Sequence, residues 1–317
     1  MKKQFSKPLK FILPLVFGVA IGWYSFSKIP FQEITPYFKR ANYAWVILGL
    51  FFGLLSHLSR AYRWKFMLEP MGYKPRFHNS VMAVFTAYLT NFGIPRSGEV
   101  MRAAVFANYE NVPFEKGFGT IVAERVADLL VLLLIILTTL FLQYDFIKDL
   151  LVKNFNPTTL VLGLLGLLVM GAVFFMMIAK AKSGLPLKIK HFITGILEGA
   201  TSIFRMKKKW AFIFHTLFIW LMYVLMFYVT LLAVPELHNV PMAAVLVGFI
   251  AGGLSIAATN GGVFVYPAAI LGALTLFGLP ETPSFAFGWI MWTAQTALII
   301  IFGALSFVLL PIFNRGK

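Results

Sequence analysis

The chain has 317 residues, 59% of them hydrophobic and 13% charged, with 34 Phe and no Cys. Charged residues run near a quarter in a soluble domain, so this composition excludes one, and continuous apolar runs without period-two alternation exclude a β-barrel. The net charge of +16 has no polar domain to carry it to a nucleic acid and reads as basic loops against anionic headgroups, while the lack of Cys removes disulfides, thiolate metal sites and thiol redox chemistry.

Apolar runs of about 20 residues span a hydrocarbon core. After the basic MKKQFSKPLK, residues 11–27 predict a first span. Trp23 and Tyr24 suit interface anchors, and no small-residue cleavage site follows as a signal peptide requires. Residues 28–42 read as a polar loop and 43–59 as a second span. The stretch RAYRWKFMLEPMGYKPRFH, with Arg60, Arg63, Lys65, Lys74 and Arg76, reads as a basic cytoplasmic loop. Residues 80–94 are apolar but short and stop at GIPRSGE, which suits a re-entrant segment better than a full span. A third span is expected over 124–143 and a fourth over 158–179. The basic segment 180–209 reads as an amphipathic cytoplasmic linker, and a fifth span follows over 210–233. Residues 243–277 are apolar but broken by GGLSIAATNGG and Pro267, which predicts a helical hairpin that dips in and returns; 284–310 is the last span.

Of the 28 Lys and Arg, nineteen fall in the N-terminal segment, the loop after the second span, the linker and the C-terminus, against five in the alternate loops. The positive-inside rule then places both termini in the cytoplasm. The expected fold is an all-α polytopic membrane protein: one integral-membrane domain over 1–317, about six spanning helices, and two re-entrant broken hairpins near 80–116 and 243–279 that enter from opposite faces. This layout resembles the inverted repeats of transporters, without a detectable sequence repeat behind it.

Charge within a bilayer is costly and usually tied to function. Five of the twelve acidic residues lie between 91 and 128: Glu99, Glu110, Glu115, Glu124 and Asp128. In GIPRSGEVMRA, Pro95 stops one helix, Gly93 and Gly98 allow a turn, and Ser97 is placed to cap a new helix on which Glu99 and Arg102 share a face. Arg96 beside that helix start makes an anion site, with a lipid phosphate as the obvious anion. In AERVADLL, Glu124 and Asp128 are four apart on one face and Arg125 lies three before Asp128; pairing with Arg96 or Arg102 would let these charges stay buried. In SIAATNGGVFVYP, Asn260, Gly261 and Gly262 interrupt an apolar run, where freed backbone must be buried in protein or line a wet cavity. Trp292, Thr293 and Gln295 of the last span are candidates for the same interior. The bland alternatives are a structural ion-pair cluster and a glycine packing kink. The five His are scattered, no metal-ligand or nucleophile–base spacing stands out, and no phosphate-binding P-loop occurs. No catalytic residue, metal or cofactor is expected.

The paired motifs IPRSGEVMRA and AERVADLLVLL resemble the transmembrane flippase region of lysylphosphatidylglycerol synthases and their stand-alone relatives. That family shows P-x-R-x-G-E-x-x-R followed by E-R-x-x-D; Pro95, Arg96, Gly98, Glu99 and Arg102 match the first and Glu124, Arg125 and Asp128 the second. The family's late P-G-G-x-G-x-x-E is altered here to Asn260-Gly261-Gly262-Val263-Phe264-Val265-Tyr266-Pro267, which keeps the glycine pair and loses the carboxylate. The resemblance implies a stand-alone member without the aminoacyl-transfer domain, in a bacterial cell (inner) membrane. It also implies a flippase for a lipid with an anionic or phosphate-bearing headgroup, with Arg96, Glu99, Arg102, Glu124, Arg125, Asp128 and Asn260 around that headgroup. Gly93, Pro95, Gly98, Gly261 and Gly262 would serve as hinges. No nucleic-acid partner is expected, and a homo-oligomer is left open. The rival readings are a small-solute secondary transporter and a membrane-embedded transferase acting on a lipid-linked substrate.

Overall fold

The computed structural model describes residues 6–94, 97–144, 148–149, 152–153, 156–180, 183–184, 186–187, 189–190, 194, 206–259 and 261–315. Every regular element among them is helical. In chain order these are α1 (Ser6–Lys28), α2 (Phe31–Arg40), α3 (Tyr43–Arg63), α4 (Lys65–Leu68), α5 (Phe77–Gly93), α6 (Gly98–Tyr109), α7 (Phe114–Leu142), α8 (Pro157–Ala179), α9 (Lys209–Leu231), α10 (Met242–Ala258), α11 (Val265–Thr275) and α12 (Glu281–Phe313). Among the described residues, four stretches are long and apolar enough to cross a membrane: Tyr43–Met71, Phe114–Leu142, Lys209–Leu231 and Glu281–Phe313. Leu168–Ala179, Met242–Ala258 and Val265–Thr275 are shorter apolar helices. The protein is an all-α polytopic membrane protein. Most of the expected linker 180–209 lies outside the described residues.

Three boundaries differ from the sequence reading. The loop 28–42 contains α2, a helix that turns Ile34 inward and leaves Phe31 and Glu33 exposed. The third span starts at Phe114 instead of 124, because Gly117, Thr120 and Ile121 already supply a buried face at helical spacing ahead of Glu124. Most consequentially, α3 continues through Arg60 and Arg63, and both are buried. No Gly or Pro interrupts it there; the chain turns only after the 3₁₀ segment Glu69–Met71, at Gly72 with φ 87°.

The chain forms two compact units, 1–121 with 210–317, and 122–209. In the first, α5 packs on α6, α3 and α12, α10 packs on α11, and α11 packs on α12 and α1. Its core gathers Val46 of α3, Phe227 of α9, Val245 of α10, Ile270 of α11 and Phe287 of α12. Small residues permit close approach between α3 and α9: a Cβ on Gly53 would lie 2.6 Å from the Met226 sulfur. In the second unit the outer side of α7 is a run of exposed apolar residues, Leu130, Leu134, Leu137 and Phe141 among them, as a surface facing lipid requires.

Helix α12 orders the two interrupted hairpins along its length. A Cβ on Gly288 would lie 2.7 Å from Pro267 Cα of α11, and the Trp292 indole N–H donates to the Gly261 carbonyl at 2.8 Å. Further on, a Cβ on Gly303 would lie 2.7 Å from Leu89 Cβ of α5, and Asn314 just past α12 bonds Asn79 near the start of α5. From Gly288 to Asn314 is about 39 Å at helical rise. The α10–α11 pair therefore lies against the first part of α12 and α5 against the last part. Between them the tips touch: a Cβ on Gly261 would sit 2.9 Å from the Phe92 ring.

Candidate functional site

The turn between α5 and α6 is built by Asn91 and Ser97. The Asn91 amide oxygen accepts the Gly98 N–H at 2.8 Å, so the first free donor of α6 is satisfied by α5. Ser97 does not cap α6 with its side chain. Its hydroxyl donates backwards to the Ile94 carbonyl at 2.7 Å and to Thr90 at 3.2 Å. Gly98 has an ordinary helical backbone and is needed for space, since a Cβ there would come within 2.6 Å of the Asn91 amide nitrogen. Gly93 has neither a positive φ nor a close neighbour. Pro95 and Arg96 lie outside the described residues.

On α6, Glu99 is half-buried and Arg102 is 2% exposed. The Arg102 guanidinium lies 3.9 Å over the ring of Trp64, a fully buried residue that joins α3 to α4. The other contacts fix that ring: Phe106 packs against it with centroids 3.8 Å apart, and its indole N–H donates to Thr120 Oγ1 at 2.7 Å. Thr120 in turn donates to the Gly117 carbonyl. A desolvated cation over an aromatic face is stabilised by about 2 kcal/mol. The buried Arg60 and Arg63 lie in the last turn of α3, just before Trp64. Arg63 donates to Thr216 Oγ1 of α9 at 2.8 Å and lies 5.2 Å over the Phe212 ring. Three buried arginines thus belong to one unit, and two of them, Arg60 and Arg63, read as solvated loop charges in the sequence. The signal that could have found them is their spacing: three apart, in phase with Ser56 and Ser59 on the polar side of an uninterrupted helical pattern.

On α7 the acidic pair is as expected from its spacing. Glu124 is 0% exposed and Asp128 also buried, one turn apart on one face. Arg125 is half-buried and approaches Asp128 at 3.7 Å, the i,i+3 pair of the motif.

A second polar centre, absent from the sequence reading as a unit, closes the open end of the α5–α6 pair. Arg76, just ahead of α5, pairs with Glu110, just past α6, at 2.9 Å, and its backbone N–H donates to the same carboxylate at 3.2 Å. Asn79 donates to Glu110, and Arg76 to Asn314; Asn79 and Asn314 exchange amide hydrogen bonds at 3.0 Å. The beginning of α5, the end of α6 and the end of α12 are held at one level.

The break between α10 and α11 is a sequence of positive backbone angles: Gly261 at φ 72°, Gly262 at 74° and Phe264 at 62°. Thr259 donates to Ser255 at 2.6 Å and accepts the Gly262 N–H at 3.1 Å. The Trp292 indole reaches Gly261, whereas the Gln295 amide donates to the Met291 carbonyl of its own helix at 3.4 Å. Trp292 therefore serves this break, and Thr293 lines an apolar cavity. Asn260 lies outside the described residues. At both glycines the backbone takes angles that L side chains resist.

Apolar spanning helices with buried charge and broken helical pairs define a polytopic membrane protein with a polar interior. The chain belongs to the family of the lysylphosphatidylglycerol synthase TM region, whose model matches residues 11–303. It is similar to the UPF0104 membrane protein MJ1595 of Methanocaldococcus jannaschii, 30% identical over 132 residues, 40% of this chain and 38% of that one. It is also similar to Glycosyltransferase AglD of Haloferax volcanii, 29% identical over 100 residues, 31% of this chain and 16% of that one. The chain thus covers well under half the length of these relatives. No solved structure matches.

Proposed function

We propose that the protein is a lipid translocase, a flippase that moves a phosphate-bearing, polar-headed lipid between leaflets. The observation that carries this reading is the meeting of the two helix breaks, Phe92 at the end of α5 against Gly261 beyond α10. Interrupted backbone at membrane depth is tolerated where protein or a wet cavity satisfies it. Two such interruptions, approached from opposite ends of α12, form the waist through which a headgroup would pass while its chains remain in lipid. In this reading Arg96 and Arg102 contact the phosphate and Glu99 holds the arginines, while the carboxylates Glu124 and Asp128, beside Arg125, are the candidates on α7 for an amine of the headgroup, and Asn260 belongs to the second break. The family name refers to a phospholipid synthase and one relative is named a glycosyltransferase; lipid or glycolipid handling is common ground between them. Both termini would face the cytoplasm in a cell membrane, with 80–116 and 243–279 as re-entrant pairs.

The site is tested with Arg96→Ala and Glu99→Gln in proteoliposomes containing leaflet-labelled phospholipids and polyprenyl-phosphate lipids. Both variants are expected to insert and fold and to lose translocation. Full activity in both contradicts the site assignment, and uptake of a water-soluble solute without lipid exchange replaces the translocase with a solute transporter.

A further inference from the structure

Away from the buried charges, α1, α2, α11 and α12 line a partly open cavity of about 510 Å³, within the range of small-molecule sites. Its lining is mostly aromatic, Phe26 of α1, Phe31 and Phe38 of α2, Phe264 and Trp289, with Ile34 and two threonines beside them. No charged group lines it. Four of the rings are already locked against one another, Phe26 to Phe31 at 6.3 Å and to Trp289 at 5.7 Å, and Phe264 to Trp289 at 5.6 Å. Lys28 stands between Phe26 and Phe31 in the chain, at the corner where α1 gives way to α2, and is exposed. Trp23 and Tyr24, one turn back, are 81% and 65% exposed, as residues at the headgroup level of a bilayer are. Phe264 is also the non-glycine residue held at φ 62°, and its ring lies where a Cβ on Gly22 of α1 would be 2.7 Å away. Strained backbone of this kind is stored where surrounding structure or a ligand over-determines it.

We infer that this cavity binds one hydrocarbon chain of an anionic membrane phospholipid, whose headgroup pairs with Lys28, and that the chain braces Phe264 at the break between α10 and α11. An apolar, aromatic cavity excludes a polar solute, and the exposed Lys28, two residues from Phe26 and three from Phe31 in the chain, supplies the nearby cation for an anionic headgroup. The site touches the second helix break only through Phe264, and the binding it describes does not depend on the proposed function.

The test is photo-crosslinking of purified wild-type protein in vesicles containing phosphatidylglycerol or phosphatidylcholine with a diazirine in one acyl chain, the adducts mapped by peptide mass spectrometry. The expected result is an adduct on the peptides of Phe31–Phe38 and Phe264 that is stronger with phosphatidylglycerol. Thr293→Trp, which fills the chamber from α12, should lose that adduct while adducts on the exposed face of α7 persist. Lys28→Gln should keep the adduct and lose the preference for phosphatidylglycerol. Labelling no denser here than on α7, or labelling that Thr293→Trp leaves unchanged, overturns the chain site; equal labelling by both lipids in wild type overturns the headgroup assignment. Because the readout is binding, its failure is separable from a failure of translocation.

Discussion

At the scale of single residues, Trp64 carries the polar interior of its unit. It is the platform for Arg102, a packing partner of Phe106 and a donor to Thr120. Trp64→Ala should cost about 3–5 kcal/mol, as deletion of a buried large ring does. Trp64→Phe retains the ring and should cost about 1 kcal/mol for the lost hydrogen bond. Thermal unfolding of the purified variants measures both, and equal losses would remove the ring packing from the account. The glycines give a second contrast. Gly261→Ala meets both a positive φ and the Phe92 ring and should destabilise by about 1–2 kcal/mol or more. Gly93→Ala meets neither and should be neutral or stabilising by about 0.5–1 kcal/mol. All four glycines, 93, 98, 261 and 262, look alike as letters; only backbone angle and neighbouring atoms separate a hinge from a packing contact or from neither.

At the scale of elements, the α5–α6 pair is held by chemistry at both ends: Asn91 and Gly98 at the turn, Arg76, Asn79, Glu110 and Asn314 at the base. Glu110 accepts from several donors and is nearly buried, while Arg40 and Glu236 form an exposed pair at 2.5 Å. A double-mutant cycle on Arg76→Ala and Glu110→Ala should give a coupling of about 1–3 kcal/mol, and the same cycle on Arg40 and Glu236 about 0–1 kcal/mol. The reverse order would mean that the base of the pair is not held by this network. Much of this scale was legible. Apolar runs, the stop at GIPRSGE, the break at TNGG and the common face of Glu124 and Asp128 all follow from helical periodicity and from the φ freedom of glycine. The rest was not, because a charge count cannot distinguish a solvated loop arginine from one folded back on a helix. Arg60 and Arg63 have the composition of a cytoplasmic loop and are buried because α3 runs on and Thr216 and Phe212 of a distant helix receive Arg63. The base network joins residues 76 and 314, a contact that no local pattern encodes.

At the scale of the whole molecule, α12 sets the level at which the two helix breaks meet. If a headgroup passes there, Phe92 and Gly261 must part during transport. The chain has no Cys, so Phe92→Cys with Gly261→Cys, bridged by a short reducible thiol crosslinker, isolates this movement. The bridged protein should insert normally and lose lipid exchange, and reduction should restore it; undiminished exchange in the bridged form would show that the tips do not gate passage. The most direct measurement for the account as a whole is leaflet exchange of labelled phospholipids and polyprenyl-phosphate lipids in proteoliposomes of the wild-type protein, against empty liposomes of the same composition. The account predicts exchange above the empty liposomes for a lipid with a phosphate-bearing headgroup. Exchange no faster than in empty liposomes for every lipid, by protein shown to be folded, would contradict it.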